Sequence, residues 1–302
     1  MNQASSRRRR PWLALTLGVG LAVALGMAGP ARALRPNRPI LSTPQMGDIV
    51  NESVTFQATD GVTLRGWFLP FQDQSKRAIS TPGPIIILPS DGSDNRGSVL
   101  WHYYMTLLGT PWHVLTFDWR GFGDSSNWDI DTTQVVIPEM ILDLEAAVEY
   151  AKARPECNGR VGILAYGPAA AVALAAVASG ADVDALVLRG VYTTQADYCA
   201  GRKGAKPPVD CTTNSRWPAL LEPLVAASKV TAPVLLVVGE KDTVTPPAMA
   251  EAVRKALGGK TELWQAPAAG HTGFDSPEYR YTRQFAVKMH EFFKLHLGSI
   301  GP

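Results

Sequence analysis

VGILAYGPAAAVAL, Val161 to Leu174, reads as a short buried strand, a sharp turn and a helix of small residues. The turn falls on Ala165, Tyr166, Gly167, Pro168 and Ala169. Gly167 contributes no side chain and takes φ > 0 at little cost. Pro168 contributes no N–H. Open α/β sheets bind ligands at the carboxyl ends of their strands. A strand-to-helix turn of this kind is therefore both the structural centre of the chain and the first place to look for chemistry.

Outward from this turn the chain alternates strand and helix. Ile85 to Leu88, His113 to Phe117, Val183 to Leu188 and Val234 to Val238 are continuous apolar runs, as expected of parallel strands buried on both faces. Ile137 to Arg154 is amphipathic, with Ile141, Leu144, Ala147 and Val148 on one face. Pro246 to Leu257 and Pro277 to Leu297 also read as helices. Glu52 to Pro70 alternates apolar and polar residues around Asp60-Gly61, a hairpin signal. The pattern predicts an α/β fold, a mostly parallel sheet covered by helices on both faces. Residues 34–47 read as a linker, 48–302 as the domain, and 192–229 as a cap-like insertion over the carboxyl edge of the sheet.

The 302 residues, 46% hydrophobic and 19% charged, suffice for a substantial core. The formal charge of +2 includes the five arginines of residues 1–33, which hold no acid; the remainder carries −3. A weakly acidic body excludes an electrostatic case for nucleic-acid binding. Residues 1–33 read as an export signal: a basic run, Arg7 to Arg10, an apolar run from Trp12 to Met27, then Ala31-Arg32-Ala33 at cleavage-site spacing. The paired arginines before Pro11-Trp12-Leu13 also resemble a twin-arginine signal. This implies a periplasmic or extracellular protein with no stable membrane association once the signal is removed; an uncleaved membrane anchor is the alternative. Of the three cysteines, Cys199 and Cys211 are the preferred pair in an oxidising compartment, with the other pairings open. Cys157 is then an inert free thiol. No C-x-x-C or cysteine–histidine cluster is present, so no metal and no cofactor are expected.

Several motifs stand in one order: a hairpin ending Gly66-Trp67, the loop Asp118-Trp119-Arg120-Gly121-Phe122-Gly123-Asp124-Ser125, the turn at Gly167, Gly239-Glu240-Lys241-Asp242, and Gly270-His271 before the last helix. In this the chain resembles the α/β-hydrolase superfamily, in its esterase- and serine-peptidase-like branch. The resemblance implies an acid at Asp242 and a base at His271, in the order nucleophile, acid, base. It places the nucleophile position at Gly167, which is vacant. Pro168 stands where the following residue's N–H would help hold an oxyanion. Asp91, in Pro89-Ser90-Asp91-Gly92-Ser93, falls on the second oxyanion loop, where a carboxylate opposes developing negative charge. Taken singly, Asp242 reads as a helix-capping turn residue and His271 as a satisfied turn histidine.

Whether the protein is an enzyme is thus the open question. One reading is a hydrolase fold with impaired catalysis that binds a small molecule at the elbow. A second is an active hydrolase in which His271 and Asp242 activate a water, or Ser90 or Ser93 attacks. A third is a purely structural or partner-binding role.

Overall fold

The computed structural model describes residues 31–73, 75–203, 209–214 and 216–300. The basic and apolar runs of the leader lie outside the described residues. In chain order the strands are β1 (Ala31–Arg32), β2 (Glu52–Gln57), β3 (Thr63–Leu69), β4 (Gly83–Ile87), β5 (His113–Asp118), β6 (Cys157–Tyr166), β7 (Ala185–Arg189), β8 (Val209–Asp210), β9 (Val234–Gly239) and β10 (Thr261–Ala266). The helices are α1 (Arg96–His102), α2 (Glu139–Ala153), α3 (Pro168–Ser179), α4 (Gln195–Lys203), α5 (Pro223–Ala227), α6 (Pro247–Ala256), α7 (Pro277–Arg280) and α8 (Thr282–Leu297).

Eight strands form one sheet in the order β10-β9-β7-β6-β4-β5-β3-β2. The six from β10 to β5 are parallel; β3 runs antiparallel to β5 and to β2, through the hairpin centred on Asp60-Gly61. Alternation along β4 divides the interior. Ile85 and Ile87 join a core with α2 and α3, while Ile86 and Leu88 join a second core with α1 and α8. From β4 the chain goes to one side for β5 and to the other for β6. The crevice where the order reverses lies between the loops after β4 and β6, and the turn at Gly167 opens into it.

The Asp118–Ser125 loop is an architectural device. Asp118, fully buried, accepts from the Arg96 N–H (2.7 Å) and the Asp124 N–H (2.9 Å) and pairs with the Arg96 guanidinium. A Cβ at Gly123 (φ 43°) would overlap that carboxylate. Arg120 joins Asp143 on α2 (2.7 Å) to Asp60 at the hairpin tip (2.6 Å). Ser125 Oγ donates to Asp118 O (2.6 Å) and accepts from the Arg65 N–H (2.9 Å), so it ties β5 to β3.

The elements depart from the sequence reading in four places. Residues 34–47, expected as a linker, are packed down. Leu34 is fully buried, its N–H donates to Thr132 O (3.0 Å), the Arg35 N–H donates to Gly92 O (2.9 Å), and Asn95 Nδ2 donates to Pro39 O (2.8 Å). Strand β10 was not anticipated, because an edge strand with mixed exposure carries no continuous apolar run. The helix expected from Pro277 is broken at Tyr281 (φ −126°, ψ 40°) into α7 and α8. Of the insertion, α4 and β8 sit by the carboxyl edge, whereas α5 returns to pack on α3 and α6. The disulfide Cys199–Cys211 is formed and ties α4 to the residue after β8. Cys157 is free and half-buried, and burial pushes its thiol pKa up.

Candidate active site

The turn between β6 and α3 keeps the backbone of a strained elbow. Gly167 has φ 51° and ψ −122°, and its N–H donates to Arg189 O (2.8 Å). A side chain at this position would start in open space, with no atom within 4 Å of its Cβ. Pro168 opens α3, where its fixed φ suits the first helical turn and its missing N–H leaves nothing unsatisfied within the helix. Ala165 and Ala169 are buried and fill the flanking positions.

Asp242 and His271 lie on the loops after β9 and β10 and are brought together. Asp242 Oδ1 accepts from the Val244 and Thr245 N–H groups, 2.8 Å each. Its Oδ2 accepts from Thr245 Oγ1 (2.8 Å) and from His271 Nδ1 (2.8 Å). Burial works to raise the Asp242 pKa, but the hydrogen bond and charge of His271, together with Thr245, outweigh it and hold the acid below its ordinary value. Burial pulls His271 below the ordinary histidine value; the bond to Asp242 opposes this, while Arg189 and Arg202 add to it. With Nδ1 committed to Asp242, the lone pair is at Nε2. The Thr245 hydroxyl is 3.2 Å from the ring, but at Nδ1, and its proton goes to Asp242. It buttresses the pair and is not placed to attack.

His271 and Gly167 line one cavity of about 260 Å³, together with Asp91, Ser93 and Pro168. Gly190 (φ 69°) lies between them: its Cβ position would be 3.6 Å from His271 Cε1 and 3.9 Å from Gly167 N. Ser93 donates its hydroxyl and its N–H to Asp91 Oδ1, so neither is aimed at the imidazole. Ser90 is buried away from the cavity wall with its hydroxyl unpartnered. No serine, threonine or cysteine among the described residues hydrogen-bonds His271 Nε2. The pair can accept a proton at Nε2, but no nucleophile among the described residues is presented to it.

The site has members that sequence reasoning missed. Arg189 ends β7, is 6% exposed, and binds Glu278 of α7 through Nε (2.9 Å) and Nη2 (2.8 Å). Burial works against its charge, and Glu278 outweighs it. The same Nη2 donates to His271 O, which holds the histidine loop. An arginine closing an apolar strand, Val187-Leu188-Arg189, was the available signal, since strand ends at this edge face the crevice. Tyr198 and Arg202 reach the cavity from α4. Tyr166, beside the apex of the turn, stacks on His102 (centroids 4.2 Å apart) and forms part of the wall.

The family model described as TAP-like protein matches residues 194–280, the segment from α4 through α7. Among curated proteins, Uncharacterized protein YfhR of Escherichia coli K12 is 37% identical over 75 residues, 24% of this chain and 25% of that protein. YfhR of Salmonella typhi is 28% identical over 108 residues, 35% of this chain and 33% of its own length. The match thus spans a third or less of these relatives. The Alpha/beta hydrolase domain-containing protein WAV2 of Arabidopsis thaliana is 22% identical over 68% of this chain and 66% of its own. Among solved structures, the Pyrococcus furiosus esterase Pf2001 superposes with a TM-score of 0.72 at 20% identity, covering 89% of this chain and all of that one. A Pyrococcus horikoshii acylaminoacyl peptidase gives 0.59 at 17% identity over 83% of this chain and 42% of its own. The sheet order, the crevice and these likenesses agree: the chain has the α/β-hydrolase fold.

Proposed function

We propose that this is an exported protein that binds a small molecule at the elbow and does not run serine-hydrolase turnover. The observation that carries the reading is Gly167 followed by Pro168, which leaves neither an attacking atom nor the adjacent amide donor. Loss of one oxyanion donor costs about 100- to 1000-fold in rate. Loss of the nucleophile costs more, and the two overlap because the groups act together. The carboxylate of Asp91 on the facing loop opposes oxyanion formation further. Purified protein is expected neither to label with a fluorophosphonate probe nor to turn over p-nitrophenyl esters above the rate of a His271→Ala variant. Labelling would overturn the reading.

The intact Asp242–His271 bond favours a second reading, hydrolysis by a water held beside Gly167 with His271 as general base. That reading expects ester or peptide turnover that His271→Ala abolishes, without probe labelling. Export is supported by the basic and apolar runs of the leader and by the Cys199–Cys211 bond, whose natural setting is an oxidising compartment. No helix of the described residues is long and apolar enough to cross a membrane. N-terminal sequencing of the periplasmic or secreted protein is expected to start near Leu34; full-length chain confined to membranes would support the anchored alternative.

A further inference from the structure

The cavity beside Gly167 holds more cations than its carboxylates neutralise. Arg35, Arg189 and Arg202 line it, against Asp91 and Glu278. Glu278 is spent on Arg189, with both oxygens accepting from that guanidinium. Asp91 Oδ1 is held by Ser93. Every aspartate and glutamate of the chain lies among the described residues. None of them bridges Arg35 or Arg202, although the other cavity arginine is fully paired. The field this creates acts on His271, where Arg189 and Arg202 both disfavour the imidazolium. A positive field hinders a general base that must become charged. It favours an anion lying beside the neutral ring.

The charged hollow does not end at the imidazole. A second hollow of about 190 Å³ shares Asp91, Ser93, His102, Tyr166 and Tyr279 with it and continues along α1. Its wall includes Val99 and the stacked pair Trp101–Tyr279, with centroids 5.7 Å apart. Trp101 is 47% exposed, a large apolar surface left open beside a polar cavity. A pocket with apolar walls and a few converging polar groups is the usual form of a small-molecule site.

We propose that the vacated elbow receives a small organic carboxylate, with its oxyanion between Arg202, Arg35 and the Nε2 side of His271 and its apolar body along the Trp101–Tyr279 stack. This rests on the reading that the site binds rather than turns over. One excess positive charge suits a monoanion. Recognition comes from charge-assisted hydrogen bonds by guanidinium groups, which are stronger than neutral ones and match carboxylate geometry.

The test is calorimetric titration of the full folded protein with phenylpropionate, phenylpropionamide and phenyl phosphate, with fluorophosphonate labelling of the same sample. The acid is expected to bind roughly tenfold or more tighter than the amide, the scale of a charge-assisted contact. Raised salt is expected to narrow the gap. Arg202→Gln and Arg35→Gln are each expected to narrow it as well, and Arg254→Gln, remote from the cavity and paired with Glu251, to leave it unchanged. Having two separate variants keeps the test readable if one fails to fold. Equal binding of acid and amide would overturn the anion assignment and leave the binding reading standing. Tighter binding of phenyl phosphate would overturn carboxylate in favour of phosphate. Binding of none of the three would overturn the proposal, and probe labelling in that sample would overturn the binding reading with it.

Discussion

Position 167 has room for a side chain, since apart from its chain neighbours no atom lies within 4 Å of where its Cβ would be. What a serine would meet instead is the backbone: φ is 51° there, a conformation costing a non-glycine residue about 1–3 kcal/mol. Gly167→Ser is therefore expected to lower stability by about that amount in denaturant unfolding while gaining little esterase activity, because Pro168 still withholds its amide. Adding Pro168→Ala supplies the donor, and the double variant is expected to exceed Gly167→Ser by about 100- to 1000-fold in p-nitrophenyl acetate turnover. Equal rates would show that Pro168 is not the missing donor. That Gly167 stands at the apex was legible in the sequence, because a turn between an apolar strand and a small-residue helix fixes which residue falls there. Arg189 was half legible: its place at a strand end stood in the sequence, its pairing did not. It is one charged residue after Val187-Leu188, and its partner Glu278 is 89 positions away, brought to it by the order in which β7, β9 and β10 are laid down.

At the scale of elements, α4 brings Tyr198 and Arg202 to the cavity, and its disulfide is a principal tether. The bridge closes a loop of sequence separation 12, worth about 3 kcal/mol in the chain-entropy account. Cys211→Ser is expected to lower the unfolding free energy by roughly that amount. It is also expected to raise protease sensitivity between α4 and β8, as seen by limited proteolysis, while fragments of the β6–α3 core persist. Uniform digestion of the whole chain would instead show that the bridge supports the domain globally. Buried parallel strands were legible from their continuous apolar runs. The edge strand β10 was not, since only one of its six residues is fully buried and its mixed pattern resembles a loop. The strap of residues 34–47 was misread for a related reason: prolines and polar residues suggest a tether, and only the contacts of Leu34 and Asn95 show that it is held down.

For the molecule as a whole, histidine burial sets an acid limit. Burial lowers the pKa of His102, His113 and His271 from the ordinary value of 6.5. His113 shows why: its Nδ1 accepts from the Phe71 N–H (3.1 Å), so protonation there removes a bond between β5 and the chain after β3. Well above pH 6.5 both folded and unfolded chains carry these rings neutral, and stability is at its full value. As pH falls below 6.5 the unfolded chain takes up protons that the folded one resists, and stability declines until the lower folded pKa is passed. Thermal unfolding is expected to show a melting temperature flat above about pH 7 and falling steadily towards pH 5. His113→Gln is expected to have a shallower fall than the parent; an identical slope would remove His113 from the account. The overall architecture was the most legible level of all, because strand and helix alternate with few interruptions and the crevice follows from the strand order.

The proline that opens α3 has an implication for descent. A lineage drifting from this sequence acquires an apical hydroxyl by one change and a neighbouring amide donor by another, and neither change alone supplies both groups. The first step also carries a folding penalty at a backbone angle that suits glycine. Building an apical hydroxyl and its neighbouring donor into this turn is thus a two-step walk whose midpoint is less stable than its start.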